Sequence, residues 1–360
     1  MTGILIAVAA LASPVPAGGN ANQQDMLWDN QLITNGVMAR AVSPPAFPNI
    51  RVVDDIFVSP GTVWHIESLT ADILEDSLWD SGGRMSVYVW LSDGNRPRNG
   101  NVNMIAFSER VVERFRTGNS YFGRPDFHHT ARNLDITLPS GQFWIGMRHP
   151  LGGGSGTAYW FTTNVAGTDG EGTSTGFFSL DAGGTFNPEG SGWHHAFEVR
   201  GHEEPTVPVT LIQVLRGERV SGATISMARS DDDRYVISAR RPTAVGLPSV
   251  EVIVEGRATA GDVTWTSFTL ESKATAGPVR QRIELWSFDT NNWHLMHERM
   301  AIADDFFSFR RLRARQNESP GRYVSANGTV RARLTWYDLG VTSVGWTVQI
   351  DQAGWHVVAN

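Results

Sequence analysis

The chain has 360 residues, 41% hydrophobic and 19% charged, with a formal net charge of −7. That length supports two ordinary domains, each with its own core, and the composition excludes disorder over most of the chain. Asp and Glu (37) outnumber Lys and Arg (30), which argues against a nucleic-acid binder, and the absence of cysteine excludes disulfides, thiolate metal sites and cysteine nucleophiles.

Residues 4–12, Ile-Leu-Ile-Ala-Val-Ala-Ala-Leu-Ala, form an apolar run too short to span a bilayer. Small residues follow at Ala10-Leu-Ala12 and Val15-Pro-Ala17, as at signal-peptidase sites, although Met1-Thr2-Gly3 lacks the usual basic charge. The expectation is a signal peptide and flexible N-terminus over 1–24, and a secreted or cell-surface mature protein. No other run approaches the ~18 apolar residues of a membrane-spanning helix.

From 25 to 201, short strand-like runs alternate with turn residues. They include Val52–Val58, Thr62–Leu69, Met85–Leu91, Asn133–Leu138, Gln142–Arg148, Ala158–Thr163 and His195–Arg200. Val87, Val89 and Leu91 alternate with Ser86, Tyr88 and Trp90, so both faces are fairly apolar, as in a sandwich core strand. Ile105, Phe107, Val111, Val112 and Phe115 fit a helix or a strand, and the strand is favoured because no helical pattern surrounds them.

Gly201-His-Glu-Glu-Pro-Thr-Val-Pro-Val209 breaks the pattern. Its two prolines three apart require an extended backbone, and 202–209 is expected as a linker. The portion before it, 1–209, carries −9, and 210–360 carries +2. Strand and turn texture resumes in 210–360 with Thr210–Leu215, Arg234–Ala239, Val250–Glu255, Val263–Glu271, Gln281–Phe288, Thr329–Tyr337 and Trp346–Gln349. At Trp286-Ser-Phe288 the apolar positions shift by one, which hints at a bulge, and Asp289-Thr-Asn-Asn-Trp293 reads as a turn.

Motifs on both sides of the linker resemble modules of secreted proteins from environmental bacteria. In the first half these are Trp28-Asp-Asn30, Val53-Asp-Asp-Ile-Phe-Val58, Trp64-His-Ile66, Leu138-Pro-Ser-Gly-Gln-Phe-Trp-Ile-Gly146 and Trp193-His-His-Ala-Phe-Glu-Val-Arg-Gly201. They are similar to a jelly-roll-like group without assigned activity, with Gln31 in place of its usual glycine and Gln142-Phe143 in place of Thr-Tyr. In the second half, Val214-Leu-Arg-Gly-Glu-Arg-Val220 leading into Ala228-Arg-Ser-Asp-Asp-Asp-Arg-Tyr-Val236 resembles the opening of galactose-binding-like domains. The fold expected is all-β: two tandem antiparallel β-sandwiches, 25–201 and 210–360.

Chemical signals are sparse. Asp231, Asp232 and Asp233 offer consecutive carboxylates to a hard cation, so calcium is the one cofactor the sequence suggests; the competing reading is a solvated turn. His128-His129 and His194-His195 are adjacent, so a regular strand points each pair to opposite faces, and zinc would need ligands brought from elsewhere. Gly172-Thr-Ser-Thr-Gly176 matches a hydrolase elbow in letters but lacks the strand before and helix after it. Arg310, Arg311, Arg313 and Arg315 read as a charged edge strand. Among 13 Trp most should be core, with one to three rings facing solvent; Trp293, Trp265 and Trp336 are the candidate sugar-stacking residues, Trp293 first because it ends a polar turn. The leading expectation is an exported, non-catalytic protein that recognises extracellular polysaccharide or a cell-surface polymer. The alternatives are a self-associating layer or filament component and a glycan-active hydrolase.

Overall fold

The computed structural model describes residues 24–32, 39–43, 48–76, 83–150, 156–163, 175–190, 192–228, 233–301, 306–312, 319–340 and 345–359, the side chains of 39 and 306–312 excepted. The expected signal segment up to residue 23 lies outside this set. So do Asp231, Asp232, residues 172–174 of the Gly-x-Ser-x-Gly match, and Arg313 and Arg315.

The all-β expectation holds. Every ladder is antiparallel, and the helical elements among the described residues are three single 3-10 turns. The first half contains β1 (Asp25–Asp29), β2 (Ala39–Ala41), β3 (Arg51–Glu75), β4 (Arg84–Leu91), β5 (Met104–Tyr121), β6 (Arg124–Arg148), β7 (Ala158–Thr163), β8 (Phe177–Ser179), β9 (Asn187–Pro188) and β10 (His194–His195). Next comes β11 (Phe197–Arg216). The second half contains β12 (Glu218–Ser221), β13 (Tyr235–Ser238), β14 (Val250–Arg257), β15 (Val263–Ala274), β16 (Val279–Ser287), β17 (Asn292–Ala301), β18 (Phe306–Leu312), β19 (Thr329–Asp338) and β20 (Thr347–Ala359). The segment open to either a helix or a strand is therefore strand, as β5.

In the first half the long strands β3 and β6 pair along their lengths and serve two sets of partners. Residues 51–58 of β3 meet β6 and β8, while 62–75 meet β6, β7 and β11; the register breaks between Val58 and Val63. Strand β4 is buried on both faces, as its Val87–Val89–Leu91 alternation with Tyr88 and Trp90 requires. The second half is a two-sheet sandwich. One sheet runs β12–β13–β20–β15–β18, the other β11–β14–β19–β16–β17.

Buried apolar side chains form two large clusters, one drawn from residues between Trp28 and Val199, the other from residues between Val207 and Trp355. Strand β11 belongs to both sides. Its residues 197–205 pair with β3, 206–208 with β20, and 209–216 with β14. Residues 202–209, expected as a linker, are thus continuous strand. Pro205 and Pro208 fit there because proline's fixed φ suits an extended backbone where no ladder needs its missing N–H.

Two local features explain motif positions. Gly201 faces a bulge in β3, whose extra residue is Glu67, and a Cβ there would lie 1.9 Å from the His65 carbonyl oxygen, so only glycine lets the strands approach. Gln31 has φ of +55°, the left-handed conformation that the group's usual glycine takes without strain.

Candidate functional site

The polar letters of the first-half motifs meet inside the protein. Trp28 Nε1 donates to Asn30 Oδ1 (2.9 Å), and Asn30 Nδ2 donates to the His195 carbonyl (3.2 Å) and to Asp54 Oδ2 (3.4 Å). Asp54 Oδ1 accepts from the Asp55 amide (2.9 Å) and faces His194 Nδ1 (3.1 Å), while Asp54 Oδ2 also accepts from the His195 amide. All these groups are buried. Burial lowers the His194 pKa, but the hydrogen bond and charge of Asp54 outweigh it and hold it above its ordinary value. Asp54, Asp55 and His194 are close enough for a cation. Both Asp54 oxygens already take protein donors, however, and Asp55 Oδ2 accepts from Gln142 Nε2 (3.1 Å). The arrangement is a polar latch joining β1, β3, β6 and β10.

The histidine pairs split between faces, as strand geometry demands. His129 is buried between Glu75 Oε1 (2.7 Å) and His149 Nε2 (3.1 Å), and His149 Nδ1 donates to the Arg84 carbonyl (2.9 Å). Burial, then the neighbouring His129, push the His149 pKa down to about 3. His128 faces Asp72 on the other side (3.4 Å). His195 lies under Trp160 with ring centroids 4.6 Å apart.

The proposed site residues fall in different places. Asp233 is exposed just before β13, and its partners Asp231 and Asp232 lie outside the described residues. Trp336 points inward on β19 and is 0% exposed, so its ring is core and offers no stacking face. Trp293 and Trp265 are both half-buried, on different surfaces.

Trp293 lies on the outer face of the β11–β14–β19–β16–β17 sheet. It stands opposite Trp286 across β16 and β17, with ring centroids 5.1 Å apart at 69°. The Arg333 guanidinium lies 4.9 Å from the Trp293 centroid and grips Glu284 in two hydrogen bonds of 2.7 and 2.8 Å. Two residues along, Arg280 and Arg282 lie 5.0 and 5.1 Å from the Tyr337 ring, and Arg282 also pairs with Glu298. Alternation puts all these side chains on one face, because Glu284 pairs with Arg333 and Arg280 with Tyr337. The apolar shift at Trp286 is not a bulge in β16, which keeps alternating through Ser287; the extra residue is Met296, on β17. Trp286 therefore faces outward, as part of a surface of aromatic rings held by paired Arg and Glu.

Trp265 opens onto a cleft of about 430 Å³ where the two halves meet. His65 and Glu67 come from β3, Asp135 from β6, His202 and Glu204 from β11, and Trp265 from β15. His202 Nε2 pairs with Glu67 Oε1 (2.9 Å). His65 is held at Nδ1 by Thr137 Oγ1 (3.0 Å) and faces Glu204 Oε2 with Nε2 (3.2 Å). His356 of β20 meets the same carboxylate oxygen from the second half. Burial would raise the Glu204 pKa, but hydrogen bonds from His356 and His65 outweigh it and hold Glu204 well below the usual carboxylate range. Sequence reasoning did not find this cluster. Its one local trace is the alternation of His65 with Glu67 and of His202 with Glu204, which puts each pair on one strand face.

The fold and these surfaces define an antiparallel β protein with a charged aromatic sheet face and an acidic, histidine-rich cleft. No family model matches the chain, and no curated protein sequence matches it. Among solved structures, allantoicase from Saccharomyces cerevisiae matches at 10% identity and TM-score 0.24, over 84% of this chain and 76% of that one. An infectious bursal disease virus structure matches at 9% and 0.25, over 96% and 75%. The M60 catalytic domain with its CBM51-1 and CBM51-2 domains from Clostridium perfringens matches at 9% and 0.21, over 84% and 34%. Likeness at this level says nothing about ligand or activity.

Proposed function

We propose that the chain is an exported, non-catalytic protein that binds extracellular polysaccharide or a similar cell-surface polymer through the outer face bearing Trp286, Trp293 and Tyr337. The observation that supports the reading most is the Trp286–Trp293 pair, half-exposed on a sheet face while most tryptophans are core. Aromatic faces stack on the apolar faces of sugar rings, and the neighbouring Arg–Glu pairs supply donors and acceptors already fixed in place. In pull-downs against a panel of insoluble polysaccharides, the protein is expected to be retained by at least one. Trp293→Ala should weaken that retention about tenfold or more, as loss of one stacking anchor implies. Failure to bind any polysaccharide tested would remove the reading.

A second reading, self-association into a layer or filament, is favoured by β5. The strand pairs with β4 along its first part and β6 along its second, so one edge carries no partner among the described strands. Phe107, Val111 and Phe115 are exposed along it at 57%, 71% and 68%. Glu109 and Glu113 punctuate this stripe and oppose symmetric pairing, a common device against edge association. Light scattering that grows with protein concentration, and disappears in Phe115→Glu, would favour assembly; constant monomer mass would exclude it.

A further inference from the structure

The junction holds a set of groups that neither half could assemble alone. His65 stands on β3, Glu204 on the strand that passes from one half to the other, and His356 on β20. One donor atom from each lies within 4.8 Å of the other two. His65 Nδ1 is engaged by Thr137, which fixes the ring and leaves Nε2 turned to the carboxylate. A hydrogen-bonded far nitrogen is the usual arrangement for a histidine that ligates through the other. His356 is 2% exposed and turns its Nε2 to the same Glu204 oxygen.

We propose that His65 Nε2, His356 Nε2 and Glu204 Oε2 bind a divalent transition metal, zinc foremost. Two imidazole nitrogens and one carboxylate oxygen suit zinc, and are too few and too nitrogen-rich for calcium or magnesium. Tetrahedral zinc with bonds near 2.0–2.1 Å needs donors roughly 3.3 Å apart, close to the 3.2 Å between His65 and Glu204. On the other side, the His356–Glu204 contact is closer than that and opens by about an ångström to admit the ion. Three protein ligands leave a fourth position for water. Both His65 and Glu204 line the cleft, so water reaches the ion from there.

The ion ties together the first-half sheet, the crossing strand and the second-half sheet. It therefore acts as a clamp on the relative setting of the two cores, independently of the aromatic face. Without metal the same three groups form a histidine–carboxylate cluster, and the two cases respond differently to added zinc.

The full-length chain, stripped with chelator and dialysed, is titrated with zinc by calorimetry and with cobalt by visible absorption. The proposal expects one equivalent bound, a cobalt d–d spectrum of tetrahedral or five-coordinate type, and a zinc-dependent rise in Tm of about 2–5 °C. His65→Ala and Glu204→Gln, each confirmed folded by circular dichroism, should weaken zinc binding about tenfold or more. His65 is partly exposed, so its variant is the safer of the two to fold. Absence of a zinc-dependent Tm change in the wild-type chain would overturn the proposal. So would binding of equal strength in both variants, which would mark zinc held elsewhere on the surface.

Discussion

Gly201→Ala is expected to destabilise the protein by ~4 kcal/mol or more, at the far end of single-substitution effects. The added methyl would stand 1.9 Å from the His65 carbonyl oxygen and 2.9 Å from its carbon, and both are backbone atoms that no rotamer change can move aside. Relief requires β11 and β3 to separate at the bulge opposite Arg200 and Gly201. Separation there disturbs the last contacts of the first core and the start of the crossing strand together. Gly345→Ala is the matched control, since a Cβ there meets nothing within 4 Å among the described residues and should change stability by less than about 0.5 kcal/mol. Urea unfolding of the two variants measures the difference, and equal midpoints would show that the strands are not held so close.

A second large effect follows from Asp72. Burial, then the charge of Asp126 and a hydrogen bond to it, push its carboxyl up to about 9 from the ordinary 3.8. The group is therefore protonated in the folded protein at neutral pH and ionised in the unfolded chain. With a raised folded pKa, the stability is fully present below the unfolded value and is lost as pH rises toward the folded one. Each unit between costs about 1.4 kcal/mol, so the loss reaches about 4 kcal/mol by pH 7 and continues to pH 9. Asp72→Asn cannot ionise and should remove this slope. Relative to wild type it gains a few kcal/mol at pH 8, and the gain shrinks toward pH 5. Urea midpoints of both proteins from pH 5 to 9 test it, and parallel curves would mean that Asp72 is ionised in the folded state. Taking the difference between the two proteins cancels the contributions of His149 and His194, which both retain.

The strands were legible in sequence because period-2 alternation is local. Val87 to Leu91 and Arg331 to Tyr337 each announce two faces, and the second run also shows why Trp336 fails as a ligand residue. Arg331, Arg333 and Tyr337 lie on the outer face, so the intervening Trp336 must face the core. Trp293 was named from the turn before it, and Trp265 without its setting, which the first half supplies. The Asn30, Asp54-Asp55 and His194-His195 letters were visible as a pattern, but their burial was not, because their hydrogen bonds close over separations of 24 to 165 residues. The junction cluster was invisible for the same reason: His65 and Glu204 stand 139 residues apart, each in an ordinary strand. The crossing strand was misjudged as a linker because two prolines and three polar residues look like loop. They are tolerated in β11 because the neighbouring strands meet it in short, changing registers.

We propose that the outer face bearing Trp286 and Trp293, rather than the junction cleft, meets the polymer. The direct measurement is depletion binding to the best-retaining polysaccharide by the wild-type chain, Trp286→Ala, Trp293→Ala and Trp265→Ala, each confirmed folded. Binding is expected to be lost in Trp286→Ala and Trp293→Ala and to stay at the wild-type level in Trp265→Ala. Loss in Trp265→Ala with binding intact in Trp286→Ala and Trp293→Ala would contradict it.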